Sequence, residues 1–72
     1  MSGNAPVKKL RVGYVTASIW KNTTDGRDYF SVDVARTYKE GEELKNTSSL
    51  SHSDLLIAAN LLQRSNDWIM AQ

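Results

Sequence analysis

The chain has no cysteine, one proline and one histidine in 72 residues. Without cysteine there is no disulfide staple and no thiolate site for zinc or redox chemistry. Long apolar runs are missing as well: none approaches the roughly 18 residues that span a bilayer. Residues 1–7 have no apolar stretch of the kind a secretion signal carries, so the expectation is a cytoplasmic protein. A strong excess of one charge is also absent, with nine Lys and Arg against eight Asp and Glu. At 40% hydrophobic and 24% charged, the composition is that of a folded domain and not of a disordered tail.

The length leaves room for one domain, read as a tail over residues 1–7 and an α+β unit over 8–72. A domain of about 60 residues buries only ~60% of the surface of its unfolded chain, so its stability is marginal. With no disulfide to help, pairing of two copies is the usual remedy, and a homodimer is expected. So short a chain also has few residues from which to build the walls of a catalytic pocket.

Residues 8–21 carry the first strand signal, with Val12, Tyr14, Val15, Thr16, Ile19 and Trp20 as β-branched or aromatic members. Residues 22–27 read as a break around Asp25-Gly26, a strong hairpin dipeptide. Residues 28–38 alternate and read as a second strand, 39–43 turn at Gly41, and 44–50 make a weaker third strand. If Gly13 bends the chain, residues 8–13 become a separate strand and the sheet has four. From Ser51 the apolar period changes from 2 to 3.6. Ser51 and Asp54 have the spacing of a capping box, and a helix is expected from about Ser53 to about Met70. The fold class is therefore α+β, an antiparallel meander of three or four strands followed by one C-terminal helix.

Alternation sorts the strand residues into faces. Val15, Ala17 and Ile19, with Phe30, Val32 and Val34, form an apolar face that should meet the helix. Tyr14, Trp20 and Tyr29 fall on the other face among small hydroxyl residues. On the helix, Leu55, Ala58, Ala59, Leu62 and Ile69 make one stripe, widened by Leu56, Leu61 and Trp68. That stripe is wider than contact with a sheet requires, which suggests a partner helix.

No catalytic or metal constellation is visible, and no enzyme or cofactor is expected. His52 reads as a cap-region or surface residue, and Ser51, His52, Ser53 and Asp54 are too close in sequence to converge as a triad. Glu40, Glu42 and Glu43 read as a solvated turn. Charge is nevertheless segregated: residues 1–39 hold seven cations and three acids, and residues 40–72 hold two cations and five acids. Basic and aromatic residues on a sheet are the means by which single-stranded nucleic acid is held, with cations along the phosphates and rings under the bases.

The element order and certain residues resemble a known family. These are Leu10-Arg11-Val12-Gly13-Tyr14, the run Tyr29-Phe30-Ser31-Val32-Asp33-Val34-Ala35-Arg36-Thr37-Tyr38, Gly41, Leu44-Lys45, Ser49-Leu50-Ser51 and Asp54-Leu55-Leu56. Together they resemble the positive cofactor four family of transcriptional coactivators, and one repeat of the Pur and Whirly proteins. Ile19-Trp20, Asn22, the Arg36 to Gly41 stretch, Asp54-Leu55-Leu56 and Trp68-Ile69 also resemble short bacterial proteins of unassigned function. The coactivator resemblance implies a homodimer with packed helices and sheets curved to hold single-stranded DNA or RNA. It implies contacts from basic and aromatic strand residues, here Arg11, Tyr14, Trp20, Lys21, Arg27, Arg36, Tyr38, Lys39 and Lys45. The chain departs from that pattern in having only Lys45 as a cation in the third strand, and Asp54-Leu55-Leu56 where the family tends to an aromatic.

Overall fold

The computed structural model describes residues 5–72; residues 1–4 of the expected tail lie outside the described part. Four strands, β1 (Lys8–Val12), β2 (Val15–Thr24), β3 (Arg27–Glu40) and β4 (Glu43–Thr47), form one antiparallel sheet in sequence order. A 3-10 turn (His52–Asp54) leads into helix α1 (Leu55–Met70).

Each hairpin closes through two residues, and the turn chemistry explains why. At the β2–β3 tip, Asp25 and Gly26 both take positive φ, 54° and 78°. A type I′ turn demands this, and its twist matches that of the strands. The ladder can therefore run to Thr24 and Arg27, the last pair before the turn. Asn22, Thr23 and Thr24, expected as a break, are strand: the break is confined to the dipeptide itself. The first turn settles the strand number. Gly13 has φ +61° and pairs with Tyr14 to reverse the chain, so Val12 faces Val15 across β1 and β2. The bent alternative is the one that forms. Val12 then shares the face of Val15, whereas an unbroken strand would have put it with Tyr14.

The helix lies on one side of the sheet, over Val15, Ala17 and Ile19, each essentially without solvent exposure. Ala58 and Leu61 meet this line, and Leu10, Val32, Val34, Leu50 and Ile57 pack around it. Phe30 and Trp68 meet edge to face, with ring centroids 6.0 Å apart, which closes the far end of the helix on β3. At the near end Asp54 accepts from the Ser51 hydroxyl at 2.7 Å and from the Ser51 backbone N–H at 3.1 Å.

The helix is turned relative to the expected stripe. Ala58, Leu61 and Ser65 are its buried residues, whereas Leu55, Ala59 and Leu62 face outward. Ser65 is the cause. Its hydroxyl donates to the Leu61 carbonyl at 2.8 Å, so it enters the core with its polar group satisfied. Read as polar, Ser65 displaces the apparent stripe; read as a small core residue, it restores the spacing 58, 61, 65, 68. No helix is long and apolar enough to cross a membrane, among the described residues.

Candidate nucleic-acid interface

A single helix covers one face of a sheet and leaves the other open. The register defines the open face: Lys9 and Arg11 lie opposite Ser18 and Thr16, Trp20 opposite Ser31, Asn22 opposite Tyr29, Thr24 opposite Arg27, and Lys39 opposite Leu44. Small polar side chains tie its middle together. Asn22 Nδ2 donates to Ser31 Oγ at 3.0 Å, and Thr37 Oγ1 donates to Asn46 Oδ1 at 3.0 Å.

The ion pairs divide by face, although Lys8, opposite Ile19, is an unpaired cation at a helix-side position among the described residues. Lys21 stands 3.6 Å from Asp28, Arg36 2.9 Å from Asp54 and Lys45 2.7 Å from Glu40, and all three pairs lie on the helix-bearing side. The Arg36 contact is Coulombic: its Nε–H is shielded from solvent but is not aimed at the carboxylate. The Thr23 hydroxyl, with Lys21 beside it, lowers the Asp28 pKa below the usual carboxylate value, despite the opposing effect of burial. On the open face Lys9, Arg11, Arg27 and Lys39 have no carboxylate partner among the described residues. Asp33, opposite Ser18, is the one acid at a strand position there.

The nine residues singled out from the sequence therefore separate. Arg11, Tyr14, Trp20, Arg27 and Lys39 belong to the open side, whereas Lys21, Arg36, Tyr38 and Lys45 fall on the helix side by register. Lys9 and Tyr29 join the open group. Alternation in the sequence already places Tyr29 on this face, and parity adds Lys9 once the two-residue β1–β2 turn is recognised and the β1 positions are counted from it. The rings are unequally available. Tyr14 is 67% exposed and Tyr29 51%, whereas Trp20 is partly covered and its Nε1 is shielded with no acceptor among the described residues.

One end of the sheet is concave, and residues from positions on both faces line the hollow. β2 begins at Val15, so beyond Arg36 the strand β3 has lost its β2 partner except for one bond, from Thr37 N–H to the Tyr14 carbonyl at 2.9 Å. An open cleft of about 530 Å³ lies where the β1–β2 turn abuts this stretch. Arg11, Tyr14, Thr37, Lys39 and Leu44 line it, together with Arg36 and Tyr38. Arg11 Nε donates to the Gly13 carbonyl at 2.9 Å, which holds the guanidinium at the turn and leaves its terminal nitrogens free of that bond.

Comparison of the chain with family models, curated proteins and solved structures gave no match.

Proposed function

We propose that this protein binds single-stranded DNA or RNA with little sequence preference, through the open face of its sheet, and that it is not a catalyst. One observation carries the reading: among the described residues the cations of the open face are unpaired and stand among tyrosine rings, while the ion pairs lie on the opposite face. Free cations are what phosphates require, because binding gains from releasing the counterions of the strand. Rings give the bases a surface to stack on without reading their identity.

In the same reading two copies pair through their helices. Leu55, Leu56, Leu62 and Met70 are exposed on α1, with Leu56 at 84%. The buried apolar core of one copy rests on Val15, Ala17, Ile19, Ala58 and Leu61, which is thin for a domain without disulfides. A second helix over the outer stripe would enlarge it.

The test is a titration of a labelled mixed-sequence oligonucleotide, followed by anisotropy at several salt concentrations. Four phosphate contacts on a single strand give a log–log salt slope of about −3. Absence of binding at low salt, with circular dichroism showing folded protein, rejects the reading. That result would favour a second one, an interaction module without nucleic-acid binding, for which the same exposed leucines speak.

A further inference from the structure

We infer that the cleft between the β1–β2 turn and the β3–β4 hairpin is a seat for one nucleotide unit, the point at which a bound strand is anchored. This rests on the single-strand reading for its biological ligand. The chemistry of the cleft, however, specifies a nucleotide whether or not that nucleotide belongs to a strand.

The walls carry the argument. A volume of about 530 Å³ is within the range of small-molecule sites and admits a base with its sugar and phosphate. Tyr14 offers a largely free ring, and Leu44, 74% exposed, offers an aliphatic surface. A flat heteroaromatic body seated in the cleft would cover two apolar side chains that water now meets. Arg11 and Lys39 bring positive charge, and no acid is among the lining residues. The Thr37 hydroxyl donates to Asn46, so its oxygen is left as an acceptor for a base or sugar donor. An open cleft with apolar and cationic walls suits a ligand with a flat ring and a monoanionic or dianionic tail, as a nucleotide has. The tether from Arg11 to the Gly13 carbonyl holds one cation in place before binding, which lowers the ordering cost of capture.

The rest of the open face lacks this combination. Around Trp20 and Tyr29 the surface is ring and hydroxyl, with Arg27 beyond it. A strand anchored in the cleft would continue over that surface with looser contacts.

The test uses the full chain and four probes: thymidine 5′-monophosphate, thymidine, inorganic phosphate and oligothymidylate. Amide shifts of Gly13, Tyr14, Thr37 and Leu44 should follow the monophosphate at lower concentration than they follow thymidine or phosphate alone. Tyr14→Ala and Lys39→Gln should each weaken oligothymidylate about tenfold, the effect of losing one base stack or one anchoring cation. Arg27→Gln, on the same face but at the other end, should weaken it less. Lys39 has no ion-pair partner among the described residues whose loss would disturb the fold, so its variant separates binding from folding, and circular dichroism checks both. If oligothymidylate binds and the cleft variants lose no more than Arg27→Gln, the seat is overturned and the single-strand reading stands. If inorganic phosphate shifts the cleft amides as well as the monophosphate does, the cleft is an anion site and the seat is overturned. If the monophosphate fills the cleft while oligothymidylate does not bind, the seat stands for free nucleotides and the single-strand reading falls. If neither binds the folded protein, both fall.

Discussion

On the helix-bearing face of the sheet Lys21, Arg36 and Lys45 each stand within 3.6 Å of a carboxylate; on the open face Lys9, Arg11, Arg27 and Lys39 have no such neighbour among the described residues. The two faces belong to the same four strands and differ only in parity. Ion pairs in contact with solvent add little to stability, because water screens them. What pairing changes is the charge left over for a partner. For Lys21, Arg36 and Lys45 it is spent within the chain; for Lys9, Arg11, Arg27 and Lys39 on the open face, and for Lys8 at the helix-side end of β1, it stays available. The apolar residues divide the same way, with Val15, Ala17 and Ile19 inside and Thr16, Ser18 and Trp20 outside. Stability and recognition are thus assigned to alternate residues of one strand, and substitutions can separate them.

The largest separation comes from the core. Leu61 is fully buried against the sheet. Leu61→Ala should cost about 2–5 kcal/mol of unfolding free energy. Its denaturant midpoint should fall accordingly, while oligonucleotide affinity measured under conditions where it is still folded stays unchanged. A loss of affinity in folded Leu61→Ala protein would show that the faces are coupled.

Neighbouring residues in β2 sharpen the same contrast. Val15→Thr and Thr16→Val are reciprocal changes of nearly equal size on opposite faces. The first buries a hydroxyl beside Ala58 and Leu61 and should cost about 1–3 kcal/mol. The second should stay within about 0.5 kcal/mol, as surface substitutions do. Equal costs in chemical unfolding would mean that the open face is covered.

How far such contrasts could be read from the sequence depends on which residues report honestly on their surroundings. The alternation of Val15, Ala17 and Ile19 against Phe30, Val32 and Val34 identifies the helix-facing side, because burial on one face imposes a period of two. Asp25-Gly26 identifies the central hairpin for an equally local reason, the need for positive φ. Ser65 misleads, since its hydroxyl is satisfied by its own helix and a polar residue therefore sits in the core. Lys21, Arg36 and Lys45 mislead for another reason. Their charge is visible in the sequence, but the carboxylate that neutralises each is seven, eighteen or five positions away and is found only once the strands are in register. The cleft beside Tyr14 was illegible for the same cause: it exists because β3 outruns β2 at one end.

The charge difference between the faces predicts a smaller, graded effect. Lys9→Gln and Arg27→Gln should each reduce the salt slope of oligonucleotide binding by about 0.7, the value of one phosphate contact on a single strand. Lys21→Gln, which removes a cation already facing Asp28, should leave the slope as it is. If the Lys21 change lowers the slope as much as the other two, strand binding is not confined to the open face.

The smallest expected effect tests the helix-bearing side through its cap. Asp54 is held below the usual carboxylate pKa chiefly by the Ser51 hydroxyl, with the Ser51 backbone N–H and Arg36 acting in the same direction and burial opposing them. The folded state therefore prefers the carboxylate more than the unfolded state does, whose aspartates titrate near 3.9. The stabilisation is complete above that value and is lost as pH falls from it through the lower folded value. Thermal melts between pH 6 and 3 should therefore show a steeper acid decline in the native chain than in Asp54→Asn, with the two curves converging at the acid end. Parallel curves would mean that the link from Ser51 and Arg36 to Asp54 contributes nothing to closing the helix on β3. Asp28 at the hairpin, whose carboxyl the Thr23 hydroxyl and Lys21 lower in the same sense, would then be the next group to replace.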